Sequence, residues 1–260
     1  MTAEGEGPLT PAQRGTQRLG MQLSYLVTIE RYDAQHIVFL VLRTNHRPQP
    51  LGHLCLEHVL RYLFGSRHIG LTLGGRGSAA TQTSVNYLQP GVHTDAGHAE
   101  AGPSTGGFTI DMGDTTVHAA SGKHHATTIA TTDVEMYELQ RSMATGLAVR
   151  DFCGELGLAQ ALPMPYACDN SGAVQQGSSS ASHKRSLFMA RRIRFVQDAV
   201  NRRAARVYTV KGEHNRADIL TKLLSTRLFR QFRHMVQNVR DVAPQVAALA
   251  RGCIWRFGAA

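Results

Sequence analysis

The sequence predicts an α/β fold in which a mixed five-stranded sheet is flanked by helices and preceded by a helical hairpin. Three observations lead to this prediction. Residues 19–64 carry two helical patterns, residues 85–119 carry short β-type runs separated by turn residues, and later strand candidates alternate with helices. Strands that alternate with helices predict parallel pairs, whereas the closely spaced runs predict an antiparallel meander in the same sheet.

The N-terminal part predicts a lead and a connecting segment. Residues 1–18 are rich in Gly, Pro and polar side chains, which predicts a disordered lead. Apolar residues with helical spacing occupy residues 19–42 and, after a Pro-containing break, residues 51–64. We therefore expect a helical hairpin within a connecting segment, residues 19–84, and an exposed apolar surface at residues 51–63.

Residues 85–240 are predicted to form the sheet domain, and residues 241–260 a C-terminal tail. The first strand is expected within residues 85–94, and turn residues and periodicity give the other boundaries. The elements that follow are strands at 107–110 and 115–119, a helix at 132–156, a strand at 164–168, a helix at 182–201, a strand at 205–210 and a helix at 217–238.

Positive charge is concentrated in the second half of the chain. Residues 183–240 hold 15 Lys/Arg and 3 Asp/Glu, while the remainder holds 13 Lys/Arg and 16 Asp/Glu. Such a block suits a polyanion such as nucleic acid, because each neutralised phosphate releases a counterion, although a solvated basic face has the same composition. The sequence has neither a membrane-spanning apolar run nor a signal peptide, and its four cysteines are scattered, so we expect a soluble intracellular protein, cytoplasmic or nuclear.

Four acidic residues stand where predicted elements begin or end. Asp95 ends the first strand, Glu135 lies in the first turn of the long helix, Asp169 follows the buried strand and Asp218 begins the last helix. At one edge of a sheet they would form a carboxylate site for Mg²⁺ or Mn²⁺, and two such ions about 4 Å apart can drive phosphoryl transfer to water. An acid at such a position also serves as a helix cap or turn residue, so spacing alone leaves both interpretations open.

The sequence segments around these acids resemble motifs of a known family. Residues 168–174 (CDNSGAV) and 215–222 (NRADILTK) resemble the CDNxxA and ADILTK segments of the ribonuclease H domain of copia-type LTR retrotransposon polyproteins. Residues 131–139 (TTDVEMYEL) are similar to the family's STEAEYxAL, and residues 103–108 (PSTGGF) to its RSTSGY turn. Residues 60–65 (LRYLFG) resemble the LRYLKGT that links reverse transcriptase to ribonuclease H, which would make residues 19–84 a remnant of the reverse transcriptase end.

The resemblance implies a ribonuclease H-like fold and an endonuclease that cuts the RNA strand of RNA–DNA hybrids. It makes Asp95, Glu135, Asp169 and Asp218 the metal-binding and catalytic acids, with two Mg²⁺ or Mn²⁺ ions as cofactors. His214 is a candidate for proton transfer, or else a surface or capping histidine. The expected partners are the hybrid and a reverse transcriptase domain absent from this sequence. Candidate nucleic-acid contacts are Asn170, Ser171, Lys184, Arg185, Arg191, Arg192 and Lys222.

Two other interpretations remain open from the sequence. The chain could be a noncatalytic nucleic-acid-binding remnant that keeps the fold and the basic block, or a transposon fragment without a retained role. The paired-Asp motif of polymerases is absent from the sequence, so polymerase chemistry is not encoded here.

Overall fold

The computed structural model describes residues 7–73, 90–97, 103–113, 115–124, 130–158, 163–179 and 189–238. The helices are α1 (Pro11–Ile29), α2 (Gln35–Leu42), α3 (Pro50–Gly65), α4 (Thr131–Glu155), α5 (Ser171–Ser178), α6 (Ala190–Asn201) and α7 (Thr226–Gln237). The strands are β1 (Pro90–Gly97), β2 (Thr105–Met112), β3 (Thr115–Lys123), β4 (Met164–Cys168) and β5 (Ala205–Thr209). Short 3-10 helices cover Tyr32–Ala34, Gly212–His214 and Arg216–Leu220. Of the helices in these residues, none has the length and apolar character needed to cross a membrane.

The described strands form one mixed sheet in the order β3-β2-β1-β4-β5. The first three strands are antiparallel, with Asp95 of β1 opposite Gly107 of β2. Strand β4 is parallel to β1 and β5 is parallel to β4. The predicted mixed five-stranded sheet with flanking helices is therefore confirmed.

Each face of the sheet is covered by its own apolar cluster. Side chains such as Val92, Ile110 and Met136 pack α4 and α6 against one face. On the other side, Ile219 and Leu220 of the last 3-10 helix join Phe232 of α7 and Ala119 of β3. The sheet is thus a central layer, and the carboxyl ends of β1 and β4 meet at the same edge of it.

The N-terminal segment differs from the expected hairpin. Helix α1 begins at Pro11, inside the predicted disordered lead, because Thr10 forms a capping box with Gln13. The stretch 19–42 is not one helix: it breaks after Ile29, where buried Arg31 pairs with Asp33 at 2.9 Å. The described segment therefore has α1, α2 and α3 around a core of its own.

This segment packs on the sheet domain. Tyr32 donates from its hydroxyl to the Val117 carbonyl of β3 at 3.2 Å, and Gln35 donates from Nε2 to the Ala119 carbonyl at 3.1 Å. Gln237 of α7 in turn donates from Nε2 to the Glu30 carbonyl at 2.9 Å. Tyr32 is 3% exposed and belongs to the cluster that holds the last 3-10 helix.

The expected exposed apolar surface at residues 51–63 is confirmed. Leu51 and Leu54 of α3 are 70% and 59% exposed, and Phe64 just beyond them is 71% exposed. The buried face of the same helix carries Leu56, Val59 and Leu63, so α3 is apolar on both sides.

Two further element predictions need correction. Helix α5 was not predicted; it is only eight residues long and begins at the cap residue Asn170. The predicted helix at 217–238 is two elements, a 3-10 helix at Arg216–Leu220 and α7 from Thr226, since Leu220 and Thr221 turn inward to the sheet. Residues 85–89, the first part of the helix predicted at 182–201, and the tail at 241–260 lie outside the described residues.

Candidate active site

Four different elements bring the acidic residues together. Asp95 lies near the end of β1 and Asp169 directly follows β4; these strands are parallel neighbours, with Thr94 opposite Cys168. Carboxylate oxygens of Asp95, Asp169 and Asp218 lie within 4.8 Å of one another. A second group within 4.8 Å contains Glu135, Asp169 and the Cys168 thiol, so Asp169 belongs to both groups.

Asp218 reaches the site from a 3-10 helix rather than from the start of the last helix. Asn215 precedes this helix, and its Oδ1 accepts from the Ala217 amide at 3.3 Å. The same side chain donates from Nδ2 to the Thr94 carbonyl at 3.0 Å, and Asn215 is fully buried. One asparagine therefore fixes both the helix start and its distance from β1.

Lys222 lies among three of the carboxylates. Its Nζ is 3.1 Å from Asp95 Oδ1, 3.0 Å from Asp218 Oδ1 and 3.7 Å from Asp169 Oδ2. Burial opposes the charged form, but Asp95 and Asp218 outweigh it and raise the pKa of Lys222. The ammonium therefore stays charged and compensates part of the negative charge.

Glu135 of α4 is the most strongly perturbed carboxyl in the site. It is 4% exposed, and burial followed by the charges of Asp95 and Asp169 raises its pKa to about 9. The Ala96 backbone amide donates to Glu135 and favours the ionised form, but by less. Without an added cation, Glu135 holds its proton at neutral pH.

The neighbouring carboxyls are shifted in the same direction. Burial and then the charge of Asp95 raise the pKa of Asp218 to about 6, and they also raise the pKa of Asp169. Thr221 donates a short hydrogen bond from its hydroxyl to Asp95 Oδ2. The negative charges of these carboxylates therefore repel one another, and Lys222 compensates this repulsion only in part.

The donor set suits a hard divalent cation. Carboxylate oxygens are the ligands that Mg²⁺ and Mn²⁺ prefer, and a cation would relieve the repulsion that raises these pKa values. Burial raises the pKa of Cys168, so its thiol keeps its proton and is a poor ligand although it lies 3.8 Å from Glu135 Oε2. The oxygens of Asp95, Glu135, Asp169 and Asp218 are the groups that fit.

The other predicted site residues have varied surroundings. His214 lies in the exposed 3-10 turn Gly212–His214, and its Nε2 is 3.6 Å from Glu213 Oε1. Asn170 caps α5 by accepting from the Ala173 amide at 3.0 Å, and Ser171 beside it is exposed. Lys184 and Arg185 lie outside the described residues.

The two predicted contact arginines of α6 differ in their surroundings. Arg191 is exposed. Arg192 lies over the Tyr137 ring at 3.9 Å and donates a short hydrogen bond to Gln140, so it helps to pack α6 on α4. Arg192 is therefore occupied within the fold, while Arg191 is available at the surface.

Two features of the site were not predicted. Lys222 was expected to contact nucleic acid, yet it lies four residues after Asp218, a spacing that could have suggested contact on one helical face. His36 of α2 hydrogen-bonds the Leu220 backbone and is close enough to Asp95 to feel its charge. No local sequence signal joins His36 to residues so far along the chain.

The chain is similar in sequence to Pol polyproteins of transposons, as its motifs predict. It is 26% identical over 232 residues to the retrovirus-related Pol polyprotein from transposon RE2 of Arabidopsis thaliana, with 88% of this chain and 15% of that protein covered. It is 24% identical over 215 residues to the corresponding polyprotein from transposon TNT 1-94 of Nicotiana tabacum, with 82% of this chain and 16% of that protein covered. The chain thus spans 14–16% of the length of these relatives.

Similar solved structures include two ribonuclease H domains. The N-terminal RNase H domain of Rv2228c from Mycobacterium tuberculosis has a TM-score of 0.36 and 20% identity, covering 52% of this chain and 91% of that one. LC11-RNase H1 in complex with an RNA/DNA hybrid has a TM-score of 0.39 and 19% identity, covering 51% and 93%. No family model matches the chain.

Proposed function

We propose that this chain is a metal-dependent ribonuclease H-type endonuclease that hydrolyses the RNA strand of RNA–DNA hybrids. The observation that carries the proposal is the meeting of Asp95, Asp169 and Asp218, from three separate elements, within 4.8 Å, with Glu135 beside Asp169. Keeping so many acids together costs electrostatic energy, and a cation-dependent reaction gives a reason for it. Sequence similarity to transposon Pol polyproteins supports the same assignment.

The residues that would hold two Mg²⁺ or Mn²⁺ ions are Asp95, Glu135, Asp169 and Asp218, and Asp169 belongs to both groups of neighbouring ligand atoms. Bound ions would supply an activated water and stabilise charge on the leaving oxygen. Glu135 must lose its proton, and Lys222 must move away from the other three carboxylates, before the carboxylate oxygens can bind a metal ion. Cation binding should therefore tighten as the pH rises. His214 is our candidate for proton transfer, and Gly212 in the same turn lies beside Asp169.

The proposed substrate is consistent with the charge of the chain. Exposed arginines of the described basic block include Arg191, Arg194 and Arg206, which suit a phosphate backbone. Asn170 and Ser171 stand directly after Asp169, where they would contact the strand being cut. An enzyme that contacts the 2′-hydroxyl can distinguish the RNA strand from the DNA strand.

We further propose that residues 19–84 are the connecting segment, residues 85–240 the ribonuclease H-like domain, and a reverse transcriptase domain the original partner. The exposed side chains Leu51, Leu54 and Phe64 support the last point, because apolar groups on one helix face suit a partner surface.

Cleavage of an end-labelled RNA–DNA hybrid in Mg²⁺ or Mn²⁺ tests the proposal. Asp169→Asn should reduce the cleavage rate at least about 10³-fold, since the carboxylate shared by both groups is lost, while the far-UV circular dichroism spectrum is unchanged. Double-stranded DNA of the same sequence should remain intact. Equal cleavage by both proteins would indicate a contaminating nuclease, and no cleavage by the wild type under any divalent cation would refute the enzyme assignment.

One observation favours a second candidate function, a nucleic-acid-binding protein without cleavage. Lys222 already supplies a positive charge among Asp95, Asp169 and Asp218, so the site is partly neutralised without a metal. In that case the wild type would bind hybrid without cutting it, and neither Mn²⁺ nor Mg²⁺ would raise the thermal midpoint of the protein.

A further inference from the structure

A cleft of about 530 Å³ lies between the N-terminal helices and α7. Its walls come from α2 and α3 on one side and from residues 219–233 on the other. Lys222 is part of the wall, and its Nζ is 3.1 Å from Asp95 Oδ1. The cleft therefore opens directly beside the carboxylate site.

Much of the cleft wall is apolar and aromatic. Ile37, Val59 and Leu224 line it together with the rings of Tyr62 and Phe229, which pack edge to face with centroids 5.6 Å apart. Flat nucleobases bind to such surfaces, because stacking and apolar contact are available to every base. The volume falls within the usual range of about 300–1,000 Å³ for small-ligand pockets, so a single nucleotide fits and a duplex does not.

The charged groups of the cleft are mainly basic. Lys222, Arg230 and Arg233 line it, with Asp33 as an acidic neighbour. Asp33 is already paired with buried Arg31 at 2.9 Å. Lys222 is likewise paired, with Asp95, Asp169 and Asp218, so the charge left to bind a phosphate group is that of Arg230 and Arg233.

Two polar atoms in the wall have no hydrogen-bond partner within the described ranges: Nδ1 of His36 and Nε of Arg233. His36 is 7% exposed, and burial lowers its pKa to about 4, so its ring is neutral. Because the ring already hydrogen-bonds the Leu220 backbone, its other nitrogen is left to pair elsewhere. Unpaired buried polar atoms are costly, and a small rotation of either side chain would let its nitrogen pair with the edge of a nucleobase, which offers both donors and acceptors.

We propose that this cleft binds one unpaired nucleotide from a single-stranded segment next to the hybrid, on the strand that is delivered to the carboxylates. The base lies against Tyr62 and Phe229, with its polar edge toward His36 and Arg233, and the phosphate lies near Arg230. The identity of the strand rests on the proposed function, but the binding itself does not require cleavage.

Fluorescence anisotropy of a fluorescein-labelled hexauridylate with the full chain in EDTA tests this inference. Arg230→Ala should weaken binding about five- to tenfold, as expected for loss of a charge-assisted contact. Arg227→Ala is the matched control, because Arg227 is an exposed arginine of the same helix that is not part of the cleft wall, and it should change the affinity less than about twofold. Equal effects of the two variants would overturn the proposal.

Photocrosslinking locates the base. With 5-bromouridine in the hexamer, mass spectrometry should find the crosslink on the peptide containing Tyr62 or Phe229, and crosslinks only elsewhere would overturn the proposal. Uridine monophosphate that binds as tightly as the hexamer would indicate a free-nucleotide site and would also overturn it. Hybrid cleavage without Arg230-dependent binding refutes this inference alone, whereas binding without cleavage refutes the enzyme assignment alone.

Discussion

At the scale of single residues, the balance of charge around Lys222 governs the site. Three carboxylates contact one ammonium, while Glu135 remains protonated because it is buried near Asp95 and Asp169. A divalent cation would compete with Lys222 for the same oxygens. The two cations should therefore substitute for each other in stabilising the fold.

Replacement of Lys222 tests this competition. Lys222→Met should lower the free energy of unfolding in EDTA by about 1 kcal/mol, a modest value because the side chain is 40% exposed. The variant should also gain more stability than the wild type on addition of Mn²⁺, as measured by thermal unfolding. Lys211→Met removes the same charge from an exposed loop residue and serves as the control. Identical Mn²⁺ responses in both variants would contradict the competition.

The raised pKa of Glu135 predicts a pH dependence of stability in EDTA. An unfolded glutamate titrates near 4.5 and folded Glu135 near 9, so between these values the folded state binds the extra proton and stability falls as the pH rises. Glu135→Gln should remove this loss and stabilise the protein at pH 8 by on the order of 2 kcal/mol, with little difference at pH 5. Urea unfolding of both proteins at pH 5 and pH 8 measures this difference in the free energy of unfolding. Glu57→Gln on α3 should follow the wild-type profile, and a Glu135→Gln variant that does so as well would refute the assignment.

At the scale of elements, the 3-10 helix Arg216–Leu220 positions Asp218. At the start of this helix, Asn215 donates a hydrogen bond to the Thr94 carbonyl of β1. At its end, the Ser121 hydroxyl of β3 donates to the Leu220 carbonyl at 2.6 Å. A regular α-helix from residue 217 would not let both ends meet the sheet in this way. The short element is therefore held by contacts rather than by its own propensity.

Removal of the Asn215 contacts should disturb the site as well as the fold. Asn215→Ala should cost about 1–3 kcal/mol, because it leaves the buried Thr94 carbonyl without its donor, and should reduce the cleavage rate by misplacing Asp218. Thermal unfolding and hybrid cleavage measure the two effects. Asn201→Ala, at the exposed end of α6, should change neither. Full cleavage activity in Asn215→Ala would show that the 3-10 helix does not depend on this residue.

At the scale of the whole molecule, the N-terminal helices are a structural part of the sheet domain. Tyr32 packs with Ile219 and Leu220, and Gln35 and Tyr32 hydrogen-bond to β3. The segment thus covers the side of the 3-10 helix that faces away from the sheet. Loss of these contacts should displace Asp218, because Leu220 belongs to the same 3-10 helix.

Tyr32→Ala tests this dependence. Removal of a buried aromatic side chain should cost about 3–5 kcal/mol, and the loosened 3-10 helix should lower cleavage even below the unfolding temperature. Tyr25→Ala on α1 is the matched control, since Tyr25 is 73% exposed and should change stability by less than about 0.5 kcal/mol. An active Tyr32→Ala protein with lowered stability would mean that the segment stabilises the fold without shaping the site.

Local patterns were sufficient to predict the five-stranded sheet and to place Asp95, Glu135 and Asp169 near the ends of their elements, whereas Asp218 was wrongly placed at the start of the last helix. Alternating runs and turn residues predicted the bounds of β2, β3, β4 and β5 to within a few residues of those observed. The sequence motifs singled out Asp169 and Asp218. Secondary structure follows local spacing, so these features are readable without a structure. The resemblance to transposon polyproteins came from the same words.

Tertiary packing decided the rest. It broke the stretch 19–42 at the Arg31–Asp33 pair, separated the last 3-10 helix from α7, and set Lys222 among carboxylates rather than at the surface alone. It also brought His36 to Leu220 and so formed the cleft. Contacts between residues this distant in the chain depend on which faces pack together, and no local spacing encodes that choice.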